Sequence, residues 1–280
     1  MKGLPPSGPR RRVGVVLTLA LAACSSEGRP PSVDPSPVSV EPAPAPVEAP
    51  EPEVSQETPV QATVEAAPPP APRLEHDLDR FRRETPRCRE DVGHCFSLAL
   101  HLVMLEAPDG RVPVQTIDWV AAQVRVAQEL YAPIDASFQV DSVDALPGEI
   151  VEVNTRSERD ALGHGRFSPG AAHVFVVARL GDIDIAGEEI RGVHWRDRAD
   201  RSRRWVILSR IAADRVLSHE LGHFFGLPHS DYPESIMNKS PRADPPWSER
   251  GFVAAEYTRM RRHRDRMLAS GMLINHAAQR

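Results

Sequence analysis

Apolar positions recur with two different periods over residues 97–270. Ser97–Glu106 (SLALHLVMLE) alternates apolar with other residues; a period of two sends successive side chains to opposite faces and predicts a strand. Pro108-Asp109-Gly110 predicts a turn after it. In Thr116–Tyr131 the residues Ile117, Val120, Ala121, Val124, Ala127 and Leu130 return every three or four positions, the spacing of an amphipathic helix. Further strands are predicted at Ile134–Val143, Glu149–Val153, Ala171–Leu180, Gly192–Arg196 and Arg204–Ser209. The run AAHVFVVARL is apolar enough to be covered on both faces. Ile211–Phe225 and Ser248–Ser270 read as helices, the second with Ser248 as N-cap and Gly271 as stop. This order gives an α+β fold: a sheet with one helix packed on it, then a second helix leading into a small C-terminal part.

The N-terminal part follows neither period. Arg10, Arg11 and Arg12 precede the apolar run Val13–Ala23, which is too short to span a bilayer as an ordinary helix, for which ~20 residues are needed, and right for the core of a signal peptide. It ends in Leu21-Ala22-Ala23-Cys24, which resembles a bacterial lipobox. That resemblance implies a signal peptide over 1–23, lipidation of Cys24 and a membrane anchor. Ser25, rather than Asp, resembles the pattern sorted to the outer membrane in Gram-negative bacteria. An ordinary signal peptide that happens to precede a cysteine is the other reading. From Ser25 to Pro72 the chain has 14 prolines, eight acids against Arg29, and no aromatic residue. It cannot bury a core, and proline at this density favours extended conformations. The expected organisation is therefore a disordered, proline-rich tether over 24–84 and one folded domain over 85–280.

Composition narrows the classes. The formal net charge of −5 argues against a general nucleic-acid binder. Nothing in the pattern calls for oligomerisation, so a monomer is expected.

Residues 219–229 read His-Glu-Leu-Gly-His-Phe-Phe-Gly-Leu-Pro-His. His219 and His223 stand at i and i+4, on one face of a helix, and can grip one ion. Gly226 can take positive φ, end the helix and turn the chain so that His229 becomes a third ligand. Three neutral histidines leave a zinc ion with an open position, the pattern of a catalytic rather than a structural site. Glu220 is not needed as a ligand and can act as the proton acceptor.

The spacing H-E-x-x-H-x-x-G-x-x-H resembles the metzincin zinc signature. Ser235-Ile236-Met237-Asn238 resembles the metzincin Met-turn, which implies that Met237 packs beneath the histidines. Ser230 after the third histidine is similar to the matrixin type. The resemblance implies a zincin/metzincin fold: a twisted mixed sheet, a backing helix and an active-site helix over about 85–226, and a small C-terminal subdomain with a final helix over about 227–280. It implies one catalytic Zn2+ on His219, His223 and His229, and hydrolysis of peptide bonds by Glu220-assisted attack of zinc-bound water. Substrate, a peptide or protein, would pair with an edge strand from the region Ile183 to Trp195, and the segment Asn238 to Trp247 would wall the pocket beyond the scissile bond. A zinc- or peptide-binding lipoprotein of the same fold, without turnover, is the alternative. It predicts capture without cleavage.

His164 and His173 flank a Gly/Pro-rich turn, in a region where matrixins carry a second zinc and calcium. The Asp/Gly-rich pattern of such sites is missing, so structural calcium or a second zinc is not supported. Cys88 and Cys95 are the cysteines left once Cys24 is lipidated, and outside the cytoplasm such a pair is expected to form a disulfide. Against this, Pro86-Arg87-Cys88 resembles the matrixin cysteine switch, whose thiolate plugs the open position of the zinc.

Overall fold

The computed structural model describes residues 74–108, 110–240 and 244–277. The signal sequence, Cys24 and the proline-rich stretch up to residue 73 lie outside the described residues, as does Asp109 of the expected turn.

The folded body takes in a segment expected to belong to the tether. Leu74–Glu84 is a helix, α1, and its Leu78 and Phe81 are buried in the main core. In LEHDLDRFRRE so few apolar residues stand among the charges that the segment reads as linker, yet three-residue spacing puts Leu78 and Phe81 on one face. After it, Cys88 and Cys95 are joined by a disulfide. Cys88 therefore has no thiolate to offer a metal, and the cysteine-switch alternative is set aside.

The strand expected at Ser97–Glu106 is two elements, β1 (His94–Leu102) and β2 (Met104–Ala107), the latter paired antiparallel with β3 (Gly110–Pro113). The chain breaks at Val103, whose N–H donates to the Val176 carbonyl and whose own carbonyl accepts from Val114. Helix α2 (Ile117–Tyr131) is capped by Thr116, whose side chain accepts from the Trp119 N–H. Then follow β4 (Ala136–Ala145), β5 (Glu152–Val153), α3 (Arg156–Leu162), β6 (Ala172–Val177), β7 (Arg179–Leu180), β8 (Gly192–Arg196), β9 (Arg204–Ser209), α4 (Val216–Phe224) and α5 (Ala254–Ala269). The helix expected from Ser248 starts later, because 247–249 form a separate 3-10 turn and Glu256 accepts from the Val253 N–H to begin α5. Gly271, at φ +72°, follows its end as expected.

The main sheet has the order β4-β1-β6-β9-β8, parallel except for β8, which pairs antiparallel with β9 and forms one edge. Alternation along its strands gives it two covered faces. Leu98, Leu100, Val174, Val176, Val206 and Leu208 turn into the core with α2 and α4. Phe175, Val177, Trp205 and Ile207 turn the other way and pack with Leu162 of α3. The α+β class and the placing of one backing helix and one motif-bearing helix on the sheet are as expected. Among the described residues no helix is long and apolar enough to cross a membrane.

Candidate metal centre

Helix α4 presents the motif and its end presents the third histidine. Gly226, at φ +84°, terminates the helix; Leu227 N–H then donates to the Gly222 carbonyl at 2.9 Å, closing the turn that leads to His229. A Cβ on Gly226 would lie 2.3 Å from two ring atoms of His263 on α5, so this glycine supplies both the left-handed turn and room for a neighbouring helix. Nothing in the sequence links His263 to the site, because the contact joins residues from two separate helical segments.

The histidines are held by the main chain. His219 Nδ1 lies 2.6 Å from the Ile236 carbonyl and His223 Nδ1 lies 2.8 Å from that of Leu227. A carbonyl only accepts, so each Nδ1 carries the proton and each Nε2 offers a lone pair. His223 Nε2 and His229 Nε2 are 3.3 Å apart, and one nitrogen from each of the three rings lies within 4.8 Å of the others. Ligand atoms at ~2.0–2.1 Å from a tetrahedral zinc are about 3.3–3.4 Å apart. The donor set thus fits zinc. Burial keeps these rings neutral, lowering His219 to about 4 and holding His223 and His229 below the ordinary histidine value. Among the described residues no other group of three metal-binding side chains comes together.

Glu220 is buried on the same helix, and burial pushes its carboxyl up to about 8, opposed by a main-chain hydrogen bond from His194 and by Arg159. The edge strand comes very near it: a Cβ on Gly192 would be 3.0 Å from Glu220 Cγ. Gly192, Val193, His194 and Arg196 of β8 line the cleft together with Glu220 and the three histidines. Of the region Ile183 to Trp195, the strand that borders the cleft is β8, whereas 183–191 is not strand.

Met237 is fully buried beneath the motif helix, and Gly222 makes room for it, since a Cβ there would meet Met237 Sδ at 2.6 Å. The turn is pinned by a residue that sequence reasoning missed. Glu256 of α5 accepts from Ser235 Oγ at 2.8 and 2.9 Å, and Ser235 Oγ accepts from the Met237 N–H at 2.9 Å. Of the expected pocket wall, Asn238 is buried and the Trp247 ring lies tilted with its centroid 6.3 Å from that of His219, while residues 241–243 lie outside the described residues. His173 is not near a metal group: its Nδ1 is 3.0 Å from His101 Nε2 on the opposite face of the sheet, and His164 is exposed.

Three comparisons bear on this geometry. Residues 165–246 match the family model of the matrixins, peptidase family M10. No curated protein matches the chain by sequence. Among solved structures, archaemetzincin from Methanopyrus kandleri is similar at 17% identity and a TM-score of 0.43, over 62% of this chain and 97% of that one. A zinc-dependent peptidase from Methanocorpusculum labreanum is similar at 16% identity and a TM-score of 0.35, over 58% and 99%. Metalloproteinase-II from Bacteroides fragilis is similar at 10% identity and a TM-score of 0.40, over 64% and 55%. The family match runs from before β6 to past Met237, so it takes in the three histidines and Glu220, and over that segment the chain is similar to the matrixins.

Proposed function

We propose that this protein is a zinc endopeptidase held on the outer membrane of a Gram-negative bacterium through lipidated Cys24. The observation that carries the reading is the convergence of His219, His223 and His229 with a buried, unligated carboxyl, Glu220, in a cleft walled by a sheet edge. When bound, zinc supplies Lewis-acid polarisation of the scissile carbonyl and a nucleophile at neutral pH. The chain does the rest. The Nδ1–H bonds of His219 and His223 fix both rings so that each Nε2 would be free to hold the ion. β8 pairs with β9 on one side, which leaves its other edge to take an extended peptide as an added strand. Glu220, which stands next to His219 and is not among the three grouped histidines, takes a proton from the attacking water and returns it to the leaving amine.

The test is cleavage of a mixed-sequence peptide library by the zinc-loaded full chain beside Glu220→Ala. We expect products from the first, at least about 10²-fold fewer from the second, and one zinc per chain in both. Peptide capture by a zinc-loaded chain that produces no cleavage would favour the binding lipoprotein instead. Anchoring is tested separately: Cys24→Ala should move the protein from the membrane to the soluble fraction and abolish palmitate labelling.

A further inference from the structure

We propose that the cleft selects acidic peptides, with Arg196 on the edge strand and Arg259 on α5 reading carboxylates that flank the bond to be cut. This names the substrate class of the endopeptidase reading and rests on it. Arg196 and Arg259 line the same cavity as the three histidines. That cavity adjoins two others through shared residues. Past Arg259 it meets one lined by Arg262, His263 and Arg266, which share one face of α5 at spacings of three and four. Past Arg196 it meets one lined by Arg198 and Arg201.

The acids lining these cavities are few and taken. Glu220 is buried beside the histidines, and Asp265 Oδ1 is 2.7 Å from Arg264 Nη2. Arg198 is paired with Asp160. Among the described residues Arg196, Arg201, Arg259 and Arg262 make no ion pair. The charge is local and does not reflect a basic protein. Residues 1–73 hold six basic and eight acidic side chains and the whole chain stands at −5, so residues 74–280 stand at −3. Arginines of the sheet and of α5 also reach a common point. His263 is lowered to about 4, by burial first and then by Arg266, Arg259, Arg204 and Arg196.

A cleft walled by one sign of charge raises the local concentration of oppositely charged ligands and disfavours like-charged ones. A guanidinium additionally grips a carboxylate with two parallel hydrogen bonds. An extended peptide on the outer edge of β8 would pass Arg196 on the same strand that approaches Glu220. These features favour Asp or Glu near the scissile bond and disfavour Lys and Arg.

The test uses three fluorescent peptides identical but for the residues around one central bond: Asp/Glu, Asn/Gln or Lys. Binding is read by anisotropy on the zinc-loaded full chain carrying Glu220→Gln, so that turnover does not enter. We expect the acidic peptide to bind at least about tenfold more tightly than the neutral one at low ionic strength, with the gap shrinking near 0.5 M salt. Arg196→Glu with Arg259→Glu should reverse the order of acidic and lysine peptides. Exposed Arg259→Gln alone, the gentler change, should narrow the gap. Equal affinity for all three peptides, or a preference that survives charge reversal in a folded protein, overturns the proposal. Cleavage by the unsubstituted chain is followed in parallel. Tight, charge-selective binding with no cleavage of any peptide would sink the endopeptidase reading and leave the charge selection standing.

Discussion

Gly226 shows how much one residue can decide. Its φ of +84° lies in the region that costs an L side chain about 1–2 kcal/mol, and the space its Cβ would need is filled by the His263 ring. Gly226→Ala should therefore cost about 2–4 kcal/mol, backbone strain and overpacking together. It should also weaken zinc binding at least about tenfold, because the turn that carries His229 must move. Gly271→Ala is the control: it has φ +72° but nothing within 4 Å of its Cβ, so it should lose stability and keep zinc affinity. Competition titration with a chelating dye separates the two, and a Gly226→Ala chain that binds zinc as the parent does would show that the turn does not position His229. His219, Glu220 and His223 were legible because helix geometry dictates their spacing, Gly226 because only glycine takes such a turn freely, and Met237 only through the resemblance of its segment to the Met-turn. His263, Gly192 and Glu256 were not, since each acts across the fold and carries no local pattern.

At the level of elements, legibility followed apolar content. β8 and β9 lie where the sequence pattern predicts strands, at Gly192–Arg196 and Arg204–Ser209. α3 was missed because RSERDAL offers few apolar positions, although Thr155 and Glu158 form a capping box around its first turn. α1 was missed for the same reason. A disulfide ties Cys88, in the segment between α1 and β1, to Cys95 on β1, with a sequence separation of 7. In the chain-entropy account, closing so short a loop stabilises the fold by about 2–3 kcal/mol. Replacing both cysteines with serine should lower stability by that amount and leave kcat/KM unchanged at temperatures where the protein stays folded. A rise in activity on reduction or in the serine variant would restore the switch reading, and thermal melts with peptide cleavage at 20–25 °C measure both.

Over the whole molecule, buried histidines make stability depend on pH. His101 lies beneath the sheet with its Nε2 3.0 Å from His173 Nδ1 and its ring stacked 4.5 Å from Phe175. Burial, helped by His173 and Arg166, lowers it to about 3, and His173 is lowered as well. The Asp144 carboxylate 3.6 Å from His101 Nδ1 does not reverse this, because it is largely exposed and screened by water. An unfolded histidine titrates near 6.5, so below that pH the unfolded chain takes up a proton that folded His101 refuses until about 3. The stability associated with its neutral form is complete above pH 6.5 and is lost as pH falls, at about 1.4 kcal/mol per pH unit for one proton. Glu220, raised to about 8, has the opposite sign over part of the same range, since its protonated form is favoured in the fold. The informative quantity is therefore the difference between two chains, in which the Glu220 contribution cancels. Urea unfolding of the parent and of His101→Asn, both with chelator present so that acid release of metal does not enter, should give lines that converge as pH falls from 6.5 to 5. Their slopes should differ by up to about 1.4 kcal/mol per pH unit, the parent being the more acid-sensitive. Parallel lines would mean that His101 gains its proton in the folded protein as readily as in the unfolded one, and that the pair with His173 is not held neutral by the sheet.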